Sequence, residues 1–330
     1  MDTSTTYLGL KLAHPFIAGA SPMGYRLDTI KRLEDAGCAA IVLHSLFEEQ
    51  ISPTESRAVA EGDAVSSHFP TGLADFPDRQ AYHHDPDRYA EHVRTVKAAV
   101  GIPVIASLNG RTGHSWLRFA QVIEQAGADA LEFNHYDVVS DLRVSAAAIE
   151  TNLVDAVANL TRVLRIPVAV KLTPFFTAFG HLAAGLDEAG ASGLVLFNRF
   201  YQSDVNTRTI SMTPQAELST SNELPLRLHW LALLHGRVRP SLAISGGVAT
   251  PDDGLKALLA GADAVQVVSA LLRHGPDHVG AMRRALEQWL DWHHVDSVDE
   301  MRGRASLKCS PDPEAFERAQ YIRTLQSWTR

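Results

Sequence analysis

The chain has 330 residues, 45% of them hydrophobic, and carries a net charge of −8 from 30 Lys+Arg against 38 Asp+Glu. That balance supports a large buried core and argues against general disorder. With no basic run along the chain, it also argues against a nucleic-acid surface.

The two cysteines, Cys38 and Cys309, are too few for a disulfide framework and form no CxxC metal site, which suits a reducing compartment. The N-terminal MDTSTTYLGLKLAHP is polar and lacks the apolar stretch of a signal peptide. No apolar run approaches the roughly 18 residues that a spanning helix needs. The expectation is a cytoplasmic protein with no membrane partner.

In chain order, YLGLKLAHPF reads as a short hairpin (about 6–15), and Phe16–Ala18 as a first core strand. LEDAGCAAIVL (33–43) follows: the end of an amphipathic helix, a Gly, then an apolar strand. IEQAGADALEF (123–133), LDEAGASGLVL (186–196) and LLAGADAVQVV (258–268) repeat that unit. Each Gly falls where a helix C-cap needs positive φ. Further strands are expected at Pro103–Ser107, Pro167–Leu172 and Ser241–Ser245. All are nearly continuous apolar runs, as in a parallel sheet buried on both faces. Eight strands alternating with helices predict a (β/α)8 TIM barrel, an α/β fold, with an open doubly wound sheet as the competitor. The hairpin would plug the barrel floor.

One domain is expected over 1–330. Residues 46–90 are irregular, and the polar insertion at about 199–225 reads as a lid. The C-terminal EAFERAQYIRTLQSW, within a tail at about 311–330, reads as an amphipathic helix packed on the barrel or on a partner subunit.

Barrel active sites gather at the C-terminal strand ends. There the sequence puts Ala20-Ser21, His44-Ser45, Asn109, Asn134 to Asp137, Lys171, Asn198, Ser245-Gly246-Gly247 and Val268-Ser269. The paired turns after strands seven and eight offer backbone N–H groups and helix N-termini to a phosphate. Lys171 inside the apolar VAVKLTPFF needs a partner. Glu132 on the neighbouring strand can supply one, and an electron-rich cofactor can face the same cation. The three amides suit the edge of a uracil-like or flavin ring, since each donates and accepts. Asp137 is a candidate general acid or base and equally a loop carboxylate. The 15 histidines show no metal-ligand spacing, so no metal is expected.

LGLKLAHPFIAGASPM, LDTIKRLEDAGCAAIVLHSLFEEQI, LEFN, VKLTPFF, SGGVATPDDGLKALLAGADAVQVVSALL and VDSVDEMRG occur in order along roughly 7–310. This run resembles the dihydroorotate dehydrogenase family, closest to its soluble class 1 members and to their "dehydrogenase-like" branch. The resemblance implies FMN, with its phosphate on Gly246, Gly247 and the Val268-Ser269 turn. It implies a flavin ring meeting Ala20, Ser21, Ser45, Asn109 and Lys171, with His44 beside it. Lys171 would lie at the N1/C2=O side, where reduced flavin is negative. Asn134 and Asn198 would hold a small cyclic substrate, and a homodimer is compatible.

The departures fall on the substrate side. The family's Lys-Ser at the second strand end is His44-Ser45 here. Its Asn-Leu-Ser-Cys-Pro-Asn, with Cys or Ser as the base, is Asn134-His135-Tyr136-Asp137-Val138-Val139. Asp137 thus stands at the base position, Val139 replaces an amide, and the Asn-rich substrate loop reads SSHFPTGLADFPDRQ. The expected function is an FMN-dependent oxidoreductase acting on dihydroorotate or a related ring. A flavin-free phosphate-binding lyase or isomerase, and a flavin protein without catalysis, are the alternatives.

Overall fold

The computed structural model describes residues 1–47, 86–110, 115–136, 139–199, 202–215, 217–308 and 310–327. Most of the stretch expected to be irregular (46–90), and Asp137, lie outside them. The strands are β1 Thr5–Tyr7, β2 Leu10–Leu12, β3 Phe16–Ala18, β4 Ile41–Phe47, β5 Val104–Asn109 and β6 Ala130–Asn134. β7 Val168–Leu172, β8 Gly193–Leu196, β9 Gln202–Asn206, β10 Ser211–Gln215, β11 Ser241–Ser245 and β12 Ala264–Val267 complete them. The helices are α1 Leu27–Asp35, α2 Pro86–Ala99, α3 Ser115–Gln125, α4 Ala146–Val163, α5 Phe179–Glu188 and α6 Leu224–Leu234. They continue with α7 Pro251–Ala260, α8 Ser269–His274, α9 His278–Trp292, α10 Val298–Met301 and α11 Pro313–Gln326.

Eight strands close into a parallel barrel in the order β3-β4-β5-β6-β7-β8-β11-β12, with β12 returning to β3. The open-sheet alternative is therefore excluded. All four glycines of the repeated unit, Gly37, Gly127, Gly190 and Gly261, take positive φ (+89°, +94°, +89° and +121°) as the chain leaves a helix for a strand. A side chain would be strained at each of these four turns.

The barrel interior takes one residue from each strand: Ile17, Val42, Ile105, Ala130, Ala169, Val195, Ala243 and Ala264. Four alanines against four branched residues leave room at the floor, and Tyr7, Leu8 and Leu12 of the antiparallel β1–β2 hairpin fill it. A second apolar layer, between strands and helices, holds the larger side chains, such as Phe16, Tyr89, Phe133 and Phe179.

The insertion after β8 contains a regular hairpin, β9 with β10, whose Val205, Ile210 and Met212 are exposed. α11 buries none of its residues and is tied to α6 by His229 Nδ1 and Glu317 Oε2 at 3.4 Å. Its exposed Phe316 lies on the opposite side from Tyr321, Ile322 and Leu325 at 3.6 residues per turn, so the helix lacks the single apolar face expected of it. Among the described residues, no helix is long and apolar enough to cross a membrane.

His14 locks the chain into β3. Its Nδ1 accepts from Phe16 N (3.2 Å), and its Nε2 donates to Gly37 O (2.7 Å). Burial, only partly opposed by the Gly37 bond, pushes its pKa down to about 4, and Arg283 adds to the shift. Above the ordinary value of 6.5 both folded and unfolded forms are neutral. As pH falls, the unfolded chain takes the proton first, so stability drains away between pH 6.5 and about 4, by roughly 3 kcal/mol in all. Melting curves over that range should fall less steeply for His14→Gln than for the parent. Parallel slopes would remove His14 from the acid response.

Candidate active site

Side chains on a strand alternate between its two faces, so the barrel's inward face recurs every second residue. Two residues beyond the apolar layer, that face turns polar: Ser107 on β5, Glu132 on β6, Lys171 on β7 and Gln266 on β12. All four are buried, Glu132 and Gln266 at 0% exposure and Lys171 at 4%. Lys171 Nζ lies 3.2 Å from Glu132 Oε1 and donates to Gln266 Oε1 at 3.1 Å. Gln266 Nε2 donates to the other Glu132 oxygen. β6 and β12 are diametrically opposite in the ring, so this triad spans the barrel interior. The ion-pair role weighed for Lys171 is thus real. It also holds the cation rigidly beneath the barrel mouth.

The next inward positions carry amides. Asn109, Asn134 and Lys171 are successive register partners across β5, β6 and β7. Asn198 follows β8, where its N–H donates to Leu172 O (2.7 Å) and its Nδ2 donates to Asn134 Oδ1 (2.9 Å). That bond ties the two amides together. His135 is buried and anchored by its N–H to Lys171 O (3.1 Å), and Tyr136 beside it is half-buried. Asp137 follows in sequence, outside the described residues.

A register shift in β4 between Val42 and Ser45 separates the expected pair His44-Ser45. Ser45 faces the interior, with its Oγ 2.8 Å from Ser107 Oγ. His44 instead packs among aromatic rings, stacked on Tyr25 at 3.9 Å and edge-on to Tyr89 at 5.1 Å. Tyr89 donates to the His44 carbonyl (2.9 Å), and His44 and His92 both meet Gly24 O. At the end of β3, Ala20 borders the interior layer, and Ser21 Oγ accepts from Met23 N (3.3 Å), capping a one-turn helix at Pro22–Tyr25.

After β11, Gly246 and Gly247 both have positive φ (+80° and +78°), and a Cβ on Gly247 would lie 2.7 Å from Leu224 N. Such consecutive turns aim their N–H groups into one concavity. Gly247 N–H donates to Ser219 Oγ at 3.2 Å, and Ser219 Oγ lies 2.8 Å from Ser269 Oγ. Ser219 escaped the sequence reading because it closes the insertion taken as a lid, and only folding brings it onto the turn after β12. One expected anion donor is already engaged. The N-terminus of α7 is filled by its own Asp253, whose Oδ2 accepts from Ala249 N, Thr250 N and Ser221 Oγ. Those bonds hold Asp253 below the usual carboxylate range although burial opposes them. The concavity therefore consists of the glycine turn with the Ser219 and Ser269 hydroxyls. Val268 Cγ2 flanks it, close enough to Gly19 that a Cβ there would meet it at 2.7 Å.

Comparison with known proteins meets this geometry. The dihydroorotate dehydrogenase family model matches residues 83–290. The NAD-dependent dihydropyrimidine dehydrogenase subunit PreA of Escherichia coli (strain K12) is 25% identical over 331 residues, 94% of this chain and 78% of that protein. The dihydroorotate dehydrogenase B (NAD(+)) catalytic subunit of Thermoplasma volcanium is 24% identical over 311 residues, covering 92% and 98%. The chloroplastic dihydropyrimidine dehydrogenase (NADP(+)) of Arabidopsis thaliana is 24% identical over 334 residues, covering 92% and 77%. The chain belongs to the dihydroorotate dehydrogenase family and is an oxidoreductase of that family, acting on CH–CH bonds.

Proposed function

We propose that the protein binds FMN and oxidises the C5–C6 bond of a dihydropyrimidine ring, dihydroorotate or a close relative, or reduces that bond in the corresponding pyrimidine. The observation that carries this reading is the buried Lys171–Glu132–Gln266 triad lying under paired amides, with the glycine–serine concavity across the same barrel mouth. The donor set fits the cofactor. Gly246, Gly247 and Ser269 would hold its phosphate, with Ser219 beside them. Ser45, Asn109 and Lys171 would meet its ring, with Ala20 and Ser21 along one edge. His44, turned into its aromatic cluster, supports that wall from behind.

Bound there, FMN supplies a hydride acceptor or donor at N5. Lys171 would bring its side-chain nitrogen to the ring, where a cation favours an electron-rich form. Asn134 and Asn198 orient the substrate, each already held by the other, so little ordering cost remains on binding. Asp137, at the family's base position, takes or returns the C5 proton. The relatives named for dihydropyrimidines support the ring class, while the changed strand-four run argues against assuming dihydroorotate itself.

The test is an absorption spectrum of the purified protein, before and after adding FMN, followed by anaerobic dihydroorotate and dihydrouracil. Flavin absorbance that bleaches with one of them is the expected result, and the ring that works names the substrate. A flavin that neither reduces would move the search to other rings. A protein that takes up no FMN would end this reading in favour of a flavin-free phosphate barrel.

A further inference from the structure

Arg227 sits in the first turn of α6 and is only 5% exposed. Two arms of its guanidinium are fixed: Nε donates to Ser245 O (2.5 Å) and Nη1 to Glu223 O (2.7 Å). Both acceptors are neutral carbonyls. Among the described residues, no carboxylate bonds to it and Nη2 has no acceptor. Nη2 lies 2.8 Å from where a Cβ on Gly246 would stand, so the third arm lies against the glycine turn. The Glu223 charge favours the cation from a distance, while Arg199, next to Asn198, opposes it, and burial opposes it most of all. A buried cation bonded only to carbonyls is costly, and buried charges are as a rule balanced by an anion. The missing partner is an oxyanion, because a planar guanidinium matches phosphate or carboxylate oxygens.

We propose that Arg227 is a cofactor-binding residue whose guanidinium holds the flavin phosphate at the Gly246–Gly247 turn. The proposal rests on the flavin reading above. It adds a charged residue to a concavity otherwise made of N–H groups and hydroxyls. A phosphate seated there balances Arg227 and lies within the reach of Arg199's field. The Ser245 and Glu223 carbonyls keep the guanidinium in place, so the charge is positioned before the cofactor arrives.

Riboflavin lacks the phosphate and separates this role from support of the fold. The apoprotein is titrated with FMN and with riboflavin, following flavin fluorescence, for the parent, Arg227→Gln and Arg227→Lys. Arg227→Gln should weaken FMN by roughly 10- to 100-fold, the loss of one charge-assisted contact, and leave riboflavin unchanged. Arg227→Lys should fall between the two, and carries the same comparison if the Gln variant does not fold. Equal weakening of both flavins, or no change in either, overturns the proposal. An oxyanion on the substrate as the true partner would appear as that second result. A parent protein that binds neither flavin would instead sink the flavin reading itself, and one that binds both equally would sink the phosphate site alone.

Discussion

Lys171→Met should lower the folding stability by about 3–5 kcal/mol, because it leaves Glu132, at 0% exposure, without the cation that it is paired with. The same change removes the one cation of the triad and should slow substrate-driven flavin reduction by roughly 10²–10³-fold, the usual cost of losing a preorganised electrostatic contact. The two losses are separable. In Lys171→Met with Glu132→Gln neither partner is charged, so stability should return while reduction stays slow. Denaturant unfolding and stopped-flow reduction of the two variants decide the matter. A double variant as unstable as the single one would show that the ion pair does not set the cost. Unimpaired reduction in either would remove Lys171 from the chemistry.

Asp137→Ala should leave FMN binding intact and slow flavin reduction by roughly 10²–10⁴-fold, the range for loss of a positioned general base. Asp137→Cys puts the family's own base at this position and should restore part of the rate, with a pH profile moved toward that of a thiol. Anaerobic reduction followed at several pH values gives both answers. If Asp137→Ala reduces as fast as the parent, the base lies elsewhere, and the partly buried Tyr136 beside it becomes the next residue to replace.

The strand ends that carry Asn109, Asn134, Lys171, Gly246 and Gly247 are legible in the sequence. Each sits at the end of an apolar run: the two amides and the lysine are polar where folding alone gives no reason for it, and the glycine pair marks a sharp turn. His44 is not. Alternation along β4 predicts which face it takes only if the register is unbroken, and the shift between Val42 and Ser45 breaks it. The occupied start of α7 was also hidden. Thr250 and Asp253 form a capping box visible in sequence, but that Ser221 closes on the same carboxylate depends on where the insertion ends in space.

Sequence by itself determined the winding of the barrel, because periodic apolar runs and a glycine at four of the helix exits leave few other ways to bury this chain. It also determined the polar set at the barrel mouth and the residues that depart from the family pattern. Only the tertiary structure decided which of those polar groups meet. Lys171 reaches Gln266 across the ring, Asn198 clamps Asn134, Ser219 returns to Ser269, and Arg227 reaches Gly246 from a helix. These partners are 95, 64, 50 and 19 positions apart in the chain by residue number. Local propensity carries no information over such separations; closure of the sheet and the packing of helices against it do.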